Sequence, residues 1–232
     1  MITEIDASLL EKIADLTGKP VGAFNIRKDM GCEARQSTEH IAIDPRADGK
    51  PGIDIHFKEG TKGETCHIPV IISQTGMNDM VYNDFYVADD CDVTIVAGCG
   101  IHNSGCDESR HDGIHTFHIG KNCRVRYTEK HYGEDAKGRV ISRSVAQDTS
   151  SQVFRPCVVG NAKCFGHVQC DSIIMGSAKI SSVPEIAAND TEAQLIHEAA
   201  IGKIAGEQLL KLETLGLTEE EAEDCILKGF LA

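Results

Sequence analysis

The chain has 232 residues, 41% of them hydrophobic, enough to build one sizeable core or two small ones. Thirty-six Asp and Glu against 23 Lys and Arg give a net charge of −13, with no basic block able to neutralise a row of phosphates, so neither nucleic acid nor anionic membrane is an expected partner. No apolar run reaches the ~18 residues of a membrane span, and the acid-bearing N-terminus lacks the basic region of a secretory signal, so a cytoplasmic protein is expected.

Ten cysteines in such a chain are expected as reduced thiols, either buried as small hydrophobes or used as ligands. None forms a C-x-x-C pair, which removes zinc knuckles, ferredoxin-type loops and thioredoxin motifs. Any metal site has to be assembled from residues distant in sequence.

Residues 1–39 read as a helical and irregular segment. Asp6 is placed to cap a short helix whose Leu9, Leu10, Ile13 and Leu16 fall on one face, with Gly18 at its C-terminal end. Residues 40–188 are a series of short β-branched runs broken by Gly, Asn and Asp: "IDIHF", "HIPVIIS", "DVTIVAG", "IHTFHIG", "RVRYTEK", "VISRSVA" and "CVVG". Two stretches repeat one pattern, "VADDCDVTIVAGCG" from Val87 and "IGKNCRVRYTEKHY" from Ile119, which gives Cys91 and Cys123 equivalent places; "VGNAKCFG" is a fainter echo. Degenerate repeats of this kind predict a mainly β protein built as a parallel β-helix, in which each coil needs its neighbours to bury an apolar face. A jelly roll or sandwich is the rival architecture.

Within this region "AGCGIHNSGCDESRHDGIHTFH", residues 97–118, gathers Cys99, His102, Cys106, His111, His115 and His118. Gly105 and Gly113 interrupt any helix, and His115 and His118 fall on opposite faces if their run is a strand. The spacing matches no standard zinc module. One reading is a zinc or iron site using Cys99, Cys106 and two histidines; the other is one coil and turn of the β-helix, with Cys99, His102 and Cys106 kept only as accessory ligands.

The region 189–232 reads as a helical domain. Thr191 with Gln194 and Thr218 with Glu221 each make a capping-box pattern, so two helices are predicted to begin there, with Gly216 in the turn between them.

The segment from Cys170 onward carries "CDSIIM", "VPEI", "HEAAIGKI" and "GLTEEEAEDCILKGF" in that order, and in this it resembles the SufB/SufD family of iron–sulfur cluster assembly scaffolds, especially its short archaeal and clostridial SufB-like members. The coils "GIDIHFKEGTKGETCHIPV", "VYNDFYVADDCDVTIVAGCGIHN" and "HDGIHTFHIGKNCRVRYTEKHYG" are similar to those of the family, extending the resemblance over nearly the whole chain. It implies a scaffold rather than an enzyme, carrying a transient iron–sulfur cluster on a shortened β-helix, pairing with itself as a homodimer and docking a SufC-type ABC ATPase on its helical domain. A sulfur donor and apo client proteins are the other implied partners. The sequence itself contains no G-x-x-x-x-G-K-[ST] loop, so ATP hydrolysis would come from the partner.

By the same resemblance Cys170 is the cluster-building thiol, and His197 and Glu198 are metal ligands at the start of the helical domain; Cys164, six residues before Cys170, is by its position a candidate accessory sulfur, with a core cysteine as the other reading. Lys203, Leu209, Leu212, Leu217 and Phe230 are the residues expected to meet the ATPase. Position 196 is Ile where bacterial SufB members carry a second glutamate, and "HYGEDAKGRVISRSVA" passes almost directly between coils where relatives have several more. A further alternative is a cupin-like metalloenzyme using histidines such as His56 and His67.

Overall fold

The computed structural model describes residues 2–18, 20–133 and 136–231. The chain divides into two compact units, Met1–Glu134 and Asp135–Ala232.

In the first unit α1 (Glu4–Ala14) is followed by β1 (Ala23–Lys28), β2 (Gly31–Gln36), β3 (Ile41–Pro45) and β4 (Gly52–Phe57). Then come β5 (Lys62–Ile72), β6 (Asn78–Val87), β7 (Asp92–Ile101), β8 (Arg110–Ile119) and β9 (Arg124–Gly133). From β4 onward successive strands go alternately to two sheets, ordered β2-β1-β5-β7-β9 and β3-β4-β6-β8. The chain therefore coils: β4 leads to β5, β6 to β7 and β8 to β9, and each coil lies parallel and in register on the last. Antiparallel pairs β1/β2 and β3/β4 finish one end.

Side chains alternate inward and outward along these strands, as the pleat requires. Ile41, Ile43, Ile53, Ile55, Phe57, Cys66, Phe85, Val93 and Ile95 fill the interior. The repeat read from sequence is real. Arg124 N–H donates to Cys91 O at 2.8 Å, as Asp92 N–H does to Thr61 O one coil earlier, so Thr61, Cys91 and Cys123 occupy one corner position. Before them Gly60, Asp90 and Asn122 share a left-handed backbone, φ 74°, 58° and 53°, a conformation open to Gly, Asn and Asp.

Helix α1 covers the outer face of β5, β7 and β9, where Leu9, Leu10 and Ile13 are buried. Gly98 and Gly100 allow the approach: a Cβ on Gly98 would lie 2.6 Å from Ile13 O. Thr3, not Asp6, is the N-cap; Asp6 is the third helical residue and completes a capping box with it. The helix ends at Asp15 (φ 54°), three residues before Gly18. A carboxylate at Asp6 can reach back to Thr3 N–H, at 2.7 Å, and so serves the cap from inside the helix.

The second unit contains β10 (Lys137–Ala146), β11 (Ser151–Phe154), β12 (Cys157–Gly160), β13 (Cys164–Ile174), β14 (Lys179–Ser182), β15 (Glu185–Ala188) and β16 (Ala193–Gly202). Helices α2 (Gly206–Thr214) and α3 (Glu219–Leu231) follow. Here each coil has three sides: β10-β13-β16, β11-β14 and β12-β15, all parallel. The molecule is a β-helix with helices, and the jelly roll and cupin-like barrel are ruled out. His56 and His67 alternate with buried Ile55 and with buried Cys66 and Ile68, so they stand on outer faces rather than in a barrel lumen.

Two expectations are corrected. Strands β1 and β2 occupy part of the segment read as helical and irregular. The helix expected from Thr191 is instead β16, paired with β13 from Cys164↔Ala193 to Ile173↔Gly202. "AQLIHEAAIG" has local helical preference, but a ladder along an existing strand outweighs propensity differences of a few tenths of a kcal/mol per residue. The second box is formed as read: Glu221 N–H donates to Thr218 Oγ1 at 3.3 Å, and Thr218 N–H donates to Glu221 Oε2 at 2.8 Å.

Candidate functional site

Cys170 sits in the middle of β13 with Val168 and Ser172, all three buried on the inner face. Its pairing partners are Ser142 on β10 and Ala199 on β16. Ser172 Oγ lies 3.8 Å from Cys170 Sγ and 2.9 Å from Ser144 Oγ, so the thiol has a short hydroxyl row beside it.

His197 pairs with Val168 and therefore shares the inner face, one inward position before Ala199. Its Nε2 is buried with no hydrogen-bond partner. A buried nitrogen without a partner costs on the order of 1–3 kcal/mol, so this atom is a donor or acceptor held in reserve. Glu198 pairs with Gln169 and points the other way; its Oε2 lies 3.3 Å from His167 Nε2. Cys170 and Glu198, which the sequence placed together, are on opposite faces of one sheet. Adjacent residues of a strand must separate in this way, whereas the helix expected at 191 would have left both near one end.

Cys164 opens β13 six residues before Cys170, on the same face and half-buried. Leu209 and Leu212 on α2, Leu217 in the turn and Phe230 on α3 are half-buried, α2 packs against α3, and Lys203 is exposed after β16. The apolar side chains most exposed on the hairpin are others: Leu210 (61%), Leu215 (71%) and Leu231 (53%).

The stretch 97–118 is one coil and turn. Cys99 is buried on β7, its thiol pushed up to about 12 by burial and by the nearby Glu129 and Asp79 carboxylates. Cys106 is exposed in the loop and His102 half-buried just after β7. His115 faces inward, stacked on Phe85, while His118 faces outward on Tyr86, which also stacks on His56. Among the described residues, no three of His, Cys, Asp or Glu form a group that could hold a metal, so the four-ligand site on Cys99, Cys106 and two histidines is not assembled.

What the sequence reading passed over is the support around these histidines, Asp79, Tyr127 and Glu129. Their signal was the alternation itself, which puts every second residue of β6, β8 and β9 in one interior.

Comparison with known proteins adds the decisive observation. Residues 107–230, from the turn before β8 to the end of α3, match the family described as "SUF system FeS cluster assembly, SufBD core domain". The chain belongs to the SufBD family. Cys170, His197 and Glu198 all lie within the matched segment, while the coils before residue 107 lie outside it. An iron–sulfur cluster assembly SufBD family protein of Methanocaldococcus jannaschii is 38% identical over 109 residues, 47% of this chain and 34% of that protein. One from Pyrococcus horikoshii is 41% identical over 101 residues, 43% of this chain and 23% of that protein. Another, from Staphylococcus saprophyticus, is 30% identical over 105 residues. The alignments thus span about a third or less of these SufBD relatives. The family is described as one of iron–sulfur cluster assembly, and among the described residues no helix is long and apolar enough to cross a membrane.

Proposed function

We propose that this SufBD chain is a scaffold subunit on which iron and sulfide are built into a nascent cluster, held as cargo and passed on to apo clients. Cys170 is the thiol ligand, His197 the nitrogen donor on the same face, and Glu198 a separate carboxylate on the outer face beside His167. The observation that carries this reading is the inner-face row of Cys170 and His197 within the family-matched segment, where the buried His197 Nε2 has no partner. A soft thiolate with a borderline imidazole suits iron that is not yet fully thiolate-bound and can therefore be released.

The chain is a homodimer in this reading, not itself an enzyme, and an ABC ATPase of the SufC type supplies nucleotide hydrolysis by docking on α2 and α3. Exposed Leu210 and Leu215 support that surface, and Lys203 is exposed just before α2. Cys170 is buried, so sulfur from a donor reaches it only when the β10-β13-β16 ladder opens, and the ATPase is the source of that motion.

Anaerobic reconstitution with iron and sulfide, with the ATPase and ATP present to open the ladder, tests the site. Cys170→Ala should abolish most of the cluster absorbance and His197→Ala should reduce it; a full spectrum from Cys170→Ala refutes the assignment. Leu210→Glu with Leu215→Glu should abolish co-purification with the ATPase while leaving the melting temperature of the chain unchanged.

A further inference from the structure

Strand β8 places His111, Gly113 and His115 at alternate positions and so on one face, the inner one, in line with Phe117. The absent side chain of Gly113 leaves a gap between the two rings. The point its Cβ would occupy lies 2.8 Å from His115 Nε2 and 3.6 Å from His111 Nε2. Two imidazoles four residues apart therefore turn ring nitrogens onto one spot, and Gly113 itself is exposed, so solvent reaches it.

Hydrogen bonding decides which nitrogens carry protons. Glu129 would be raised by its burial, but hydrogen bonds from His131 and Tyr127 and the neighbouring histidines hold it down to about 2, so it is an ionised, acceptor-only carboxylate. Tyr127 must then donate its hydroxyl proton to Glu129 Oε2, 2.9 Å away. With that proton committed, the Tyr127 oxygen can only accept, at 3.0 Å, from N–H at His115 Nδ1. At His111 the ring Nδ1 lies 3.2 Å from Oδ2 of Asp79, a carboxylate already clamped by Arg27 at 2.6 and 2.8 Å. It too carries the proton on Nδ1. In its neutral form each ring therefore carries its proton on Nδ1 and a lone pair on Nε2, and among the described residues no hydrogen bond uses either Nε2. A carboxylate or hydroxyl behind the second nitrogen is the arrangement that orients and activates metal-ligating histidines.

We infer that His111 and His115 form a two-histidine site for a borderline divalent transition-metal ion, Fe2+ or Zn2+, bound through both Nε2 atoms over Gly113. The protein supplies two ligands, and the remaining positions are taken by water or by ligands the ion brings, as befits a site that exchanges its metal. This site shares no residue with Cys170, His197 or Glu198, so either assignment can fail without the other.

Co2+ titration of the metal-stripped, untagged full chain is the test. One equivalent is expected to bind with an affinity that falls by at least about tenfold in both His111→Gln and His115→Gln. It should be unchanged in Cys170→Ala and in His118→Gln, whose ring faces outward. Wild-type affinity in both glutamine variants, or loss of binding in Cys170→Ala, overturns the site. Because the glutamine variants could perturb the coil, long-range 1H–15N spectra of wild-type histidines provide a reading without substitution. Both rings should show protonated Nδ1 in the free protein and a joint shift of both Nε2 signals on adding Zn2+. Protonated Nε2, or Nε2 signals that Zn2+ leaves in place, overturns it as well.

Discussion

Burial separates the ten cysteines into four buried, four exposed and two half-buried, Cys123 and Cys164. Cys66 and Cys99 are pushed up to about 12 by loss of hydration, and Cys91 is also raised, first by burial. A thiol that does not ionise is a poor nucleophile. Cys32, Cys106, Cys157 and Cys225 are exposed. Brief native treatment with iodoacetamide, read by mass spectrometry, should label these four and spare Cys66, Cys91, Cys99 and Cys170. Labelling of Cys170 at the rate of Cys106 would show that its ladder opens without the ATPase. Phe85 stands out among the packed side chains, fully buried and stacked on Phe117 with ring centroids 4.5 Å apart. Phe85→Ala should cost about 3–5 kcal/mol by urea denaturation, the usual range for an aromatic removed from a core.

Among elements, α1 shows how one contact fixes a helix on a sheet. Gly98→Ala would put a Cβ 2.6 Å from Ile13 O and 2.9 Å from Lys130 O, both backbone atoms that cannot swing aside. The substitution should destabilise the first unit by about 1–3 kcal/mol, measured by chemical denaturation, because the helix must lift from β7. Strands β4, β5 and β7 to β10, though not β6, were legible in the sequence as short β-branched runs bounded by Gly, Asn and Asp. The opposite holds for β16. Its residues have helical preferences and a cap-like Thr191 before them, and only the ten-residue ladder with β13 makes them a strand. With that change of element His197 became the residue on the Cys170 face, and Glu198 moved to the other side.

For the whole molecule, the acid side of the stability curve can be given a sign. Asp79 and Glu129 ionise below the ordinary carboxylate range in the folded chain, since the hydrogen bonds and charges around them outweigh burial. His115 and His67 are lowered by burial. In every case the folded group binds its proton less readily than the unfolded one. The stabilisation is therefore present above the unfolded value and is lost as pH falls. Melting temperature should decline first below about pH 6.5, where unfolded histidine protonates, and more steeply below about pH 4, where unfolded carboxylates do. A melting temperature that holds level from pH 7 to pH 3 would contradict this balance.

The sequence by itself determined the coil repeat, the corner positions of Cys91 and Cys123, the last helix with its Thr218 box, and the family motifs around Cys170. These depend on residues within a few positions of one another, or on a repeat that each coil restates. Only the tertiary structure decided which face each ligand takes and which histidines converge. His111 and His115 meet over Gly113 because Tyr127, Glu129 and Asp79 arrive from other strands, and the side a strand turns inward is set by its neighbours, not by its own residues alone.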